Sequence, residues 1–304
     1  MNVLVTGGLG FIGSHLVEAL VKRGDEVTIV DDCSSGRLKE EFSKNVLNKT
    51  KIVNCEINAF HSTEEYDIIY HLAAKPWSKE GGKITKENMF TTNTLGTHNL
   101  VSNCGNNTLF VFFSTANVYG NGIKFIVGDK INPSSMYGYT KAVAERIVEL
   151  SGKKYVIFRP GTVVGTRGRC FPNRLVWSAV NNKPIDLFNN GDTCRDLIDV
   201  RDVVSVLLNV KELPFPINNL GSNRQVIGKE LVKLVAEVAT NHGYKLRHGT
   251  VKDYPQGYVT HSSLITRLKK DKLFIPKYSL SDTIETLFNY YKSGGIEPPR
   301  WESL

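Results

Sequence analysis

A chain of 304 residues holds one large α/β unit or two modest domains, and its 41% hydrophobic content suffices for a substantial core. No apolar run approaches the roughly 18 residues of a membrane helix, and Met1-Asn2 leads straight into Val3-Leu4-Val5-Thr6, so neither a membrane partner nor a signal peptide is expected. The net charge of +8 rests on dispersed lysines with short doublets, Lys153-Lys154 and Lys269-Lys270, and no basic stretch interleaved with aromatics; it reads as a solvated surface attracting anionic small molecules, with no nucleic-acid partner expected.

In chain order, predicted strands at Val3–Thr6, Glu26–Val30, Lys51–Val53, Asp67–His71, Thr108–Phe113 and Tyr155–Phe158 alternate with helical periodicity at Ile12–Lys22, Glu87–Asn103 and Tyr137–Leu150. That alternation predicts an α/β fold, a Rossmann-type doubly wound parallel sheet, and the continuous apolar run Leu109–Phe113 suits a strand covered on both faces. Beyond about Gly165 the pattern turns irregular. Helices are predicted near Asn173–Val180, Asp202–Val210, Lys229–Thr240 and Leu280–Tyr291, with a turn at Asn189-Asn190-Gly191-Asp192. A smaller, interleaved C-terminal substrate lobe follows, with residues 1–164 and 195–220 in the dinucleotide domain and 165–194 and 221–304 in the lobe. The tail Pro298-Pro299-Arg300-Trp301 is expected to fray or dock loosely. Five scattered cysteines (Cys33, Cys55, Cys104, Cys170, Cys194) without a C-x-x-C read as reduced thiols of a cytoplasmic protein, and no metal site is expected.

Thr6-Gly7-Gly8-Leu9-Gly10-Phe11-Ile12-Gly13 closes the first strand and opens the first helix. Such a turn lets backbone approach a pyrophosphate, and the helix N-terminus offers free N–H groups and the positive end of its dipole. The second strand ends in Asp31-Asp32, 18 residues after Gly13, where an acid accepts ribose hydroxyls and repels a 2′-phosphate. Bonds to a charged group are worth about 1.5–3 kcal/mol each, so NAD is expected over NADP by at least about tenfold. The plainer role for Asp31 is capping a turn.

Tyr137 and Lys141 lie four apart in Tyr137-Gly138-Tyr139-Thr140-Lys141 and share a helix face. A phenol of pKa about 10 needs about 4 kcal/mol of preferential phenolate stabilisation to act near neutrality, and an adjacent ammonium with a cationic ring is a source of it. Taken alone, such a pair is usually a solvated helix face. Here Ser114-Thr115 stands at the carboxyl end of a central strand, where open α/β sheets bind ligands. His71 is expected to be a packed, hydrogen-bonded histidine.

With His71-Leu72-Ala73-Ala74, Asn93-Thr94-Leu95-Gly96-Thr97, Ser114 to Gly120, Pro133 to Lys141, Arg159-Pro160-Gly161, Arg195 to Val203 and Asn219-Leu220-Gly221-Ser222, the chain resembles the nucleotide-sugar epimerase/dehydratase branch of the extended short-chain dehydrogenase/reductase family over nearly its whole length. The resemblance implies that Tyr137 is the acid/base, that Lys141 holds the nicotinamide ribose and tunes Tyr137, and that Thr115 is the catalytic hydroxyl. It places Gly7, Gly10, Phe11, Ile12, Gly13, Asp31, Asp32, Glu56, Ile57, Leu72, Ala73, Ala74, Lys75 and Asn93 at NAD. Thr115, Asn117, Thr162 and Arg195 are placed at the substrate, with Arg195 on the diphosphate of a nucleotide-sugar. Relatives commonly dimerise through a helix bundle, so a homodimer is expected, with Val143, Ile147 and Leu150 either in that bundle or in the core.

The departures from the family pattern carry information. Dehydratases follow the catalytic Thr with Asp-Glu and decarboxylases with Glu, whereas this chain has Ala116-Asn117, so water elimination lacks its proton donor and C4 epimerisation is favoured. Many 4-epimerases have Asn where Thr162 stands, and an R-x-G-D arginine where this chain reads Tyr254-Pro255-Gln256-Gly257-Tyr258. Arg167, Arg169, Arg174 and Arg267 are candidate substitutes. The rival readings are a 4-ketoreductase or 4,6-dehydratase of the same fold, and a non-catalytic NAD-binding regulator or RNA-binding relative.

Overall fold

The computed structural model describes residues 1–34, 42, 44–62, 65–76, 84–253, 261–264, 266 and 274–298. Its strands in chain order are β1 (Asn2–Thr6), β2 (Glu26–Asp31), β3 (Thr50–Asn54), β4 (Ile68–His71), β5 (Leu109–Phe113), β6 (Gly122–Phe125), β7 (Lys154–Pro160), β8 (Thr162–Val164), β9 (Pro184–Phe188), β10 (Cys194–Asp199), β11 (Ile217–Leu220), β12 (Gln225–Ile227), β13 (Arg247–Lys252) and β14 (His261–Leu264). The helices are α1 (Phe11–Arg23), α2 (Lys44–Asn48), α3 (Lys86–Phe90), α4 (Gly96–Asn103), α5 (Met136–Leu150), α6 (Phe171–Val180), α7 (Val200–Leu208), α8 (Gly228–Asn241) and a last one over Leu280–Lys292.

Seven parallel strands run in the order β11-β7-β5-β4-β1-β2-β3. The order reverses between β1 and β4, and a ligand crevice opens at such a reversal, beyond the carboxyl ends of the strands. Alternation along β1 sends Val3 and Val5 to one face and Leu4 to the other. Val3 and Val5 pack with Leu16, Leu20, Val203 and Leu207 of α1 and α7, whereas Leu4 packs with Leu100, Val101, Ala144 and Val148 of α4 and α5. Each fully buried side chain of this kind contributes about 1.5–3 kcal/mol of transfer free energy. A separate core joins α6, α8 and the last helix through Leu175, Val176, Leu231, Val235, Leu287 and Phe288.

All six predicted strands form, each within a residue or two of its expected bounds. The second half holds more sheet than its sequence announced. β10 pairs with β8, β12 and β14, β13 pairs with β9, and β11 returns to the large sheet. β12 has three residues, β10 (Cys-Arg-Asp-Leu-Ile-Asp) is interrupted by charges and β13 is mostly exposed, so they lack the apolar runs that mark β1 or β5. At the predicted turn, Asn189, Asn190 and Gly191 take left-handed φ values of 45°, 52° and 75°.

The single helix expected over Glu87–Asn103 is a correction. α3 and α4 are separated by a π-helical turn over Thr91–Leu95. Buried side-chain bonds hold it there: Thr94 Oγ1 donates to Thr140 O at 3.2 Å and Thr97 Oγ1 to Asn93 O at 2.6 Å. One of these bonds is local and the other reaches across to α5, and together they override a periodicity that reads as uninterrupted helix.

Candidate active site

A cavity of about 1050 Å³ opens over the carboxyl ends of β1, β2, β4, β5 and β7. Most small-ligand sites measure roughly 300–1,000 Å³, so this one has room for an extended dinucleotide with a second ligand.

Its floor is the first turn. Gly7 has φ +68°, its N–H donates to Val30 O at 2.8 Å, and a Cβ there would stand 2.7 Å from Ala73 N, so only glycine fits between strand and loop. Gly10 begins α1 with no side-chain cap and no acid in the first helical turn. The N-terminal N–H groups and the dipole therefore face the cavity without a competing anion. Gly7, Gly10, Phe11, Ile12 and Gly13 all line it.

Asp31, Asp32, Cys55, Glu56 and Ile57 line the end formed by β2 and β3, and Leu72, Ala73, Ala74 and Lys75 follow β4. Asp31 both faces the cavity and braces the turns beside it. Its carboxylate accepts from Leu9 N and Cys33 N, each at 2.9 Å. Burial raises its pKa while these backbone bonds oppose the rise. Lys75 Nζ lies 3.7 Å from Asp32 Oδ2.

Asn93 does not stand on the cavity wall. It is fully buried behind Lys75, whose N–H donates to Oδ1 at 2.8 Å, while Nδ2 donates to Lys75 O at 3.0 Å and to Thr140 Oγ1 at 3.1 Å. His71 is likewise internal, between Thr6 Oγ1 at 2.7 Å and Thr97 Oγ1 at 2.9 Å. Burial and the nearby Lys141 hold its pKa well below the usual value.

Thr115 follows β5 and caps the short turn Ala116–Tyr119, its Oγ1 accepting from Asn117 N at 3.2 Å. α5 begins beside it because a Cβ on Gly138 would meet Asn117 O at 2.5 Å, a close approach that only glycine permits. The approach brings Tyr137 within hydrogen-bonding reach of the Thr115 hydroxyl. Thr115, Asn117, Tyr137, Thr162 and Arg195 all line this part of the cavity.

The protonation chemistry of the protein alone differs from the sequence expectation. Loss of water pushes the Tyr137 phenol up to about 12, and the Thr115 hydrogen bond opposes this only in part. Burial pulls Lys141 down to about 7, with Glu145 working against it. Lys141 is also behind the cavity wall, fully buried, with Nζ over the Phe112 ring at 4.1 Å and no hydrogen-bond partner. Burying an unpaired donor is costly, so the protein keeps this one for something other than stability. The unbonded ammonium, the uncapped α1 terminus and the glycine turn together fit a dinucleotide with a ribose near Lys141 and a pyrophosphate at α1.

Of the substitute arginines, Arg169 lines the cavity with Arg195. Arg167 is tied to Glu18 at 2.7 Å, and Arg174 to Glu297 at 2.9 Å. Arg267 and Tyr254–Tyr258 lie outside the described residues. Sequence reasoning passed over Lys86, Met89 and Thr92, which also line the cavity. Their signal was hidden in a segment read as ordinary helix. All five cysteines are free, and no cluster of potential metal ligands occurs among the described residues. Nor is any described helix long and apolar enough to cross a membrane.

Comparison with known proteins agrees with this geometry. Residues 3–218 match the family model described as the NAD dependent epimerase/dehydratase family. An uncharacterized UDP-glucose epimerase of Bacillus subtilis is 30% identical over 261 residues, covering 79% of this chain and 82% of that protein. A UDP-N-acetyl-alpha-D-glucosaminuronate decarboxylase of Bacillus cytotoxicus is 28% identical, covering 95% and 97%. Among solved structures, the Thermus thermophilus UDP-glucose 4-epimerase in complex with NAD superposes with a TM-score of 0.83 at 25% identity, covering 97% of this chain and all of the other. Matched by the family model over residues 3–218 and nearly throughout in fold, the chain belongs to the NAD-dependent epimerase/dehydratase family of extended short-chain dehydrogenases/reductases.

Proposed function

We propose that the protein is an NAD-dependent epimerase that inverts C4 of a nucleotide-linked sugar through a transient 4-keto sugar. The observation that carries this reading is the Thr115–Tyr137 pair beside β5, where no carboxylic acid among the described residues lines the cavity wall. Among the described residues, the acids on the cavity wall are Asp31, Asp32 and Glu56, all at the β2–β3 end. Oxidation at a carbinol carbon requires a group to take the hydroxyl proton, and Tyr137 with Thr115 supplies it. Elimination or decarboxylation calls for a further acid or base at the site, and Ala116-Asn117 offers none.

Bound NAD supplies a reversible hydride acceptor and donor. Lys141 holds its ribose and favours the Tyr137 phenolate, Asp31 and Asp32 receive the adenosine ribose, and Glu56 and Ile57 meet the adenine. Tyr137 and Thr115 hold the sugar C4 oxygen, taking its proton and returning it. Asn117 and Thr162 line the sugar space, and Arg195, with Arg169 lining the same cavity, binds the diphosphate. The division into a dinucleotide domain (1–164 and 195–220) and a substrate lobe (165–194 and 221–304) accords with β11 rejoining the large sheet.

A homodimer through α4 and α5 accords with Val143, Ile147 and Leu150, which share one face of α5, Leu150 being 69% exposed. The five free cysteines accord with a cytoplasmic location.

Incubation with UDP-, GDP-, CDP- and dTDP-sugars, followed by NMR of the products, tests the reading. A C4 epimer formed without net change in nicotinamide absorbance supports it. Stoichiometric NAD(P)H consumption would instead identify a ketoreductase. Salt-sensitive RNA binding without turnover would identify a non-catalytic binder.

A further inference from the structure

A buried polar network stands directly behind Thr115. Glu145 lies on α5 one helical turn beyond Lys141 and two beyond Tyr137, so the three share a helix face. Arg159 of β7 grips the Glu145 carboxylate in a fork, Nε to Oε1 at 3.0 Å and Nη2 to Oε2 at 2.7 Å. Ser114 Oγ donates to the same Oε1 at 2.5 Å. Arg159 Nη1 donates to Tyr119 OH at 2.8 Å, and Tyr119 OH donates to Asn219 Oδ1 at 2.8 Å. Ser114 immediately precedes Thr115, and Tyr119 closes the turn that Thr115 caps, so the network pins the chain on both sides of the catalytic hydroxyl.

Stability alone does not explain such an arrangement, because a buried ion pair is often no better than apolar side chains of equal volume. Glu145 is 3% and Arg159 5% exposed, and beside them Lys141 is an ammonium with no hydrogen-bond partner. Among the described residues, the titratable and charged groups around Lys141 are His71 at the end of β4 and Tyr137 and Glu145 on its own helix, with Arg159 of β7 held on the far side of Glu145's carboxylate. Of these, Glu145 favours the protonated lysine. We infer that Glu145 is a positioning residue of the active site: clamped by Arg159, its carboxylate fixes Ser114 and hence Thr115, and it is the counter-charge beside which Lys141 meets the cofactor ribose. The inference rests on the Tyr137/Lys141 reading above.

Glu145→Gln preserves size and an acceptor for Ser114 but removes the charge. Calorimetric titration of NAD into NAD-free protein between pH 6 and 9 reads the consequence. Affinity should fall with rising pH as Lys141 loses its proton, and in the variant that fall should come about one pH unit lower. At pH 8 the variant should then bind NAD up to about tenfold more weakly, while at pH 6 the two proteins agree within about twofold. Glu145→Asp should move the transition back towards that of the natural protein. Because Glu145→Gln leaves Arg159 uncompensated, the double variant Glu145→Gln/Arg159→Met serves as a second probe and should show a displacement in the same direction but smaller, since a cation has left with the anion. Ser114→Ala, which leaves every charge in place, should lower kcat about tenfold without moving the pH transition. A uniform loss of affinity at all pH values, or an unmoved transition, would overturn the counter-charge role, and full kcat in Ser114→Ala would overturn the fixing of Thr115. If Tyr137→Phe proves fully active, the underlying reading has failed; if it is inactive while the Glu145 variants behave like the natural protein, the inference alone has failed.

Discussion

The amide of Asn93 brackets the backbone of Lys75, accepting from its N–H at 2.8 Å and donating to its carbonyl at 3.0 Å. A third bond, to Thr140 Oγ1, ties the same amide to α5. Asn93 therefore acts on the cofactor site through Lys75 and does not line it. Asn93→Ala should destabilise the fold by about 1–3 kcal/mol, because the partners it leaves behind are buried. It should also weaken NAD binding while leaving the shape of the pH–rate profile unchanged. Chemical denaturation and calorimetry on the same preparation check this, and an altered pH profile would return Asn93 to the reacting groups.

Cofactor choice follows from the β2 end of the cavity. NAD should bind at least about tenfold more tightly than NADP, since a 2′-phosphate would meet the carboxylates of Asp31 and Asp32 and forfeit their bonds to the ribose. Lys75, 3.7 Å from Asp32, offsets that repulsion in part, so Lys75→Ala should widen the preference. Equal affinities for NAD and NADP would defeat the assignment.

Substitutions at the reacting groups should separate chemistry from binding. Tyr137→Phe should cut turnover by at least about a hundredfold with NAD affinity nearly unchanged, as expected for a general acid–base residue. Lys141→Met should damage both, and Thr115→Ala should fall between, since water can replace a lone hydroxyl in part. The measurement is turnover and NAD binding on folded variants. Preserved activity in Tyr137→Phe would reduce that tyrosine to packing.

Lys141 should also set a trade between stability and function. Its folded pKa, about 7, lies below its ordinary 10.5, so between these values the unfolded chain binds more protons. The contribution of Lys141 to stability is therefore least favourable below about pH 7 and improves as pH rises towards 10.5. Tyr137, raised from 10 to about 12, works in the opposite direction only above about pH 10. In NAD-free protein, Lys141→Met should raise stability at pH 7 by at least about 1 kcal/mol, and the gain should shrink towards pH 10. Denaturant midpoints at three pH values decide it; a variant less stable than the natural protein at pH 7 would mean that Nζ finds a partner in solution.

Among the described residues no acid lines the cavity beside Thr115, Glu145 lying behind the wall, and this carries a prediction about products. No nucleotide hexose should yield a 4-keto-6-deoxy sugar, and no nucleotide hexuronic acid should release carbon dioxide. Mass spectrometry of the same sugar panel reads both, and either product would replace epimerisation with elimination or decarboxylation.

The local chemistry was written in the order of residues. A glycine turn between strand and helix, an acid 18 residues after Gly13, and a Tyr–Lys pair four apart each follow from backbone geometry within a few residues. The six predicted strands were equally legible, because the central ones, covered on both faces, must be apolar along their length, and edge strand β3 still carries Ile52-Val53. Depth was not legible. Helical spacing puts Tyr137 and Lys141 on one face, but only packing beneath α5 decides that Tyr137 reaches the cavity while Lys141 stays behind its wall. The same packing inserts the π-turn at Asn93, carries Arg169 to the cavity wall while tying Arg167 and Arg174 elsewhere, and gathers Ser114, Tyr119, Glu145, Arg159 and Asn219 into one network. Those outcomes depend on contacts between residues far apart in the chain, and the burial they create, not the identity of the side chains, sets where each proton rests.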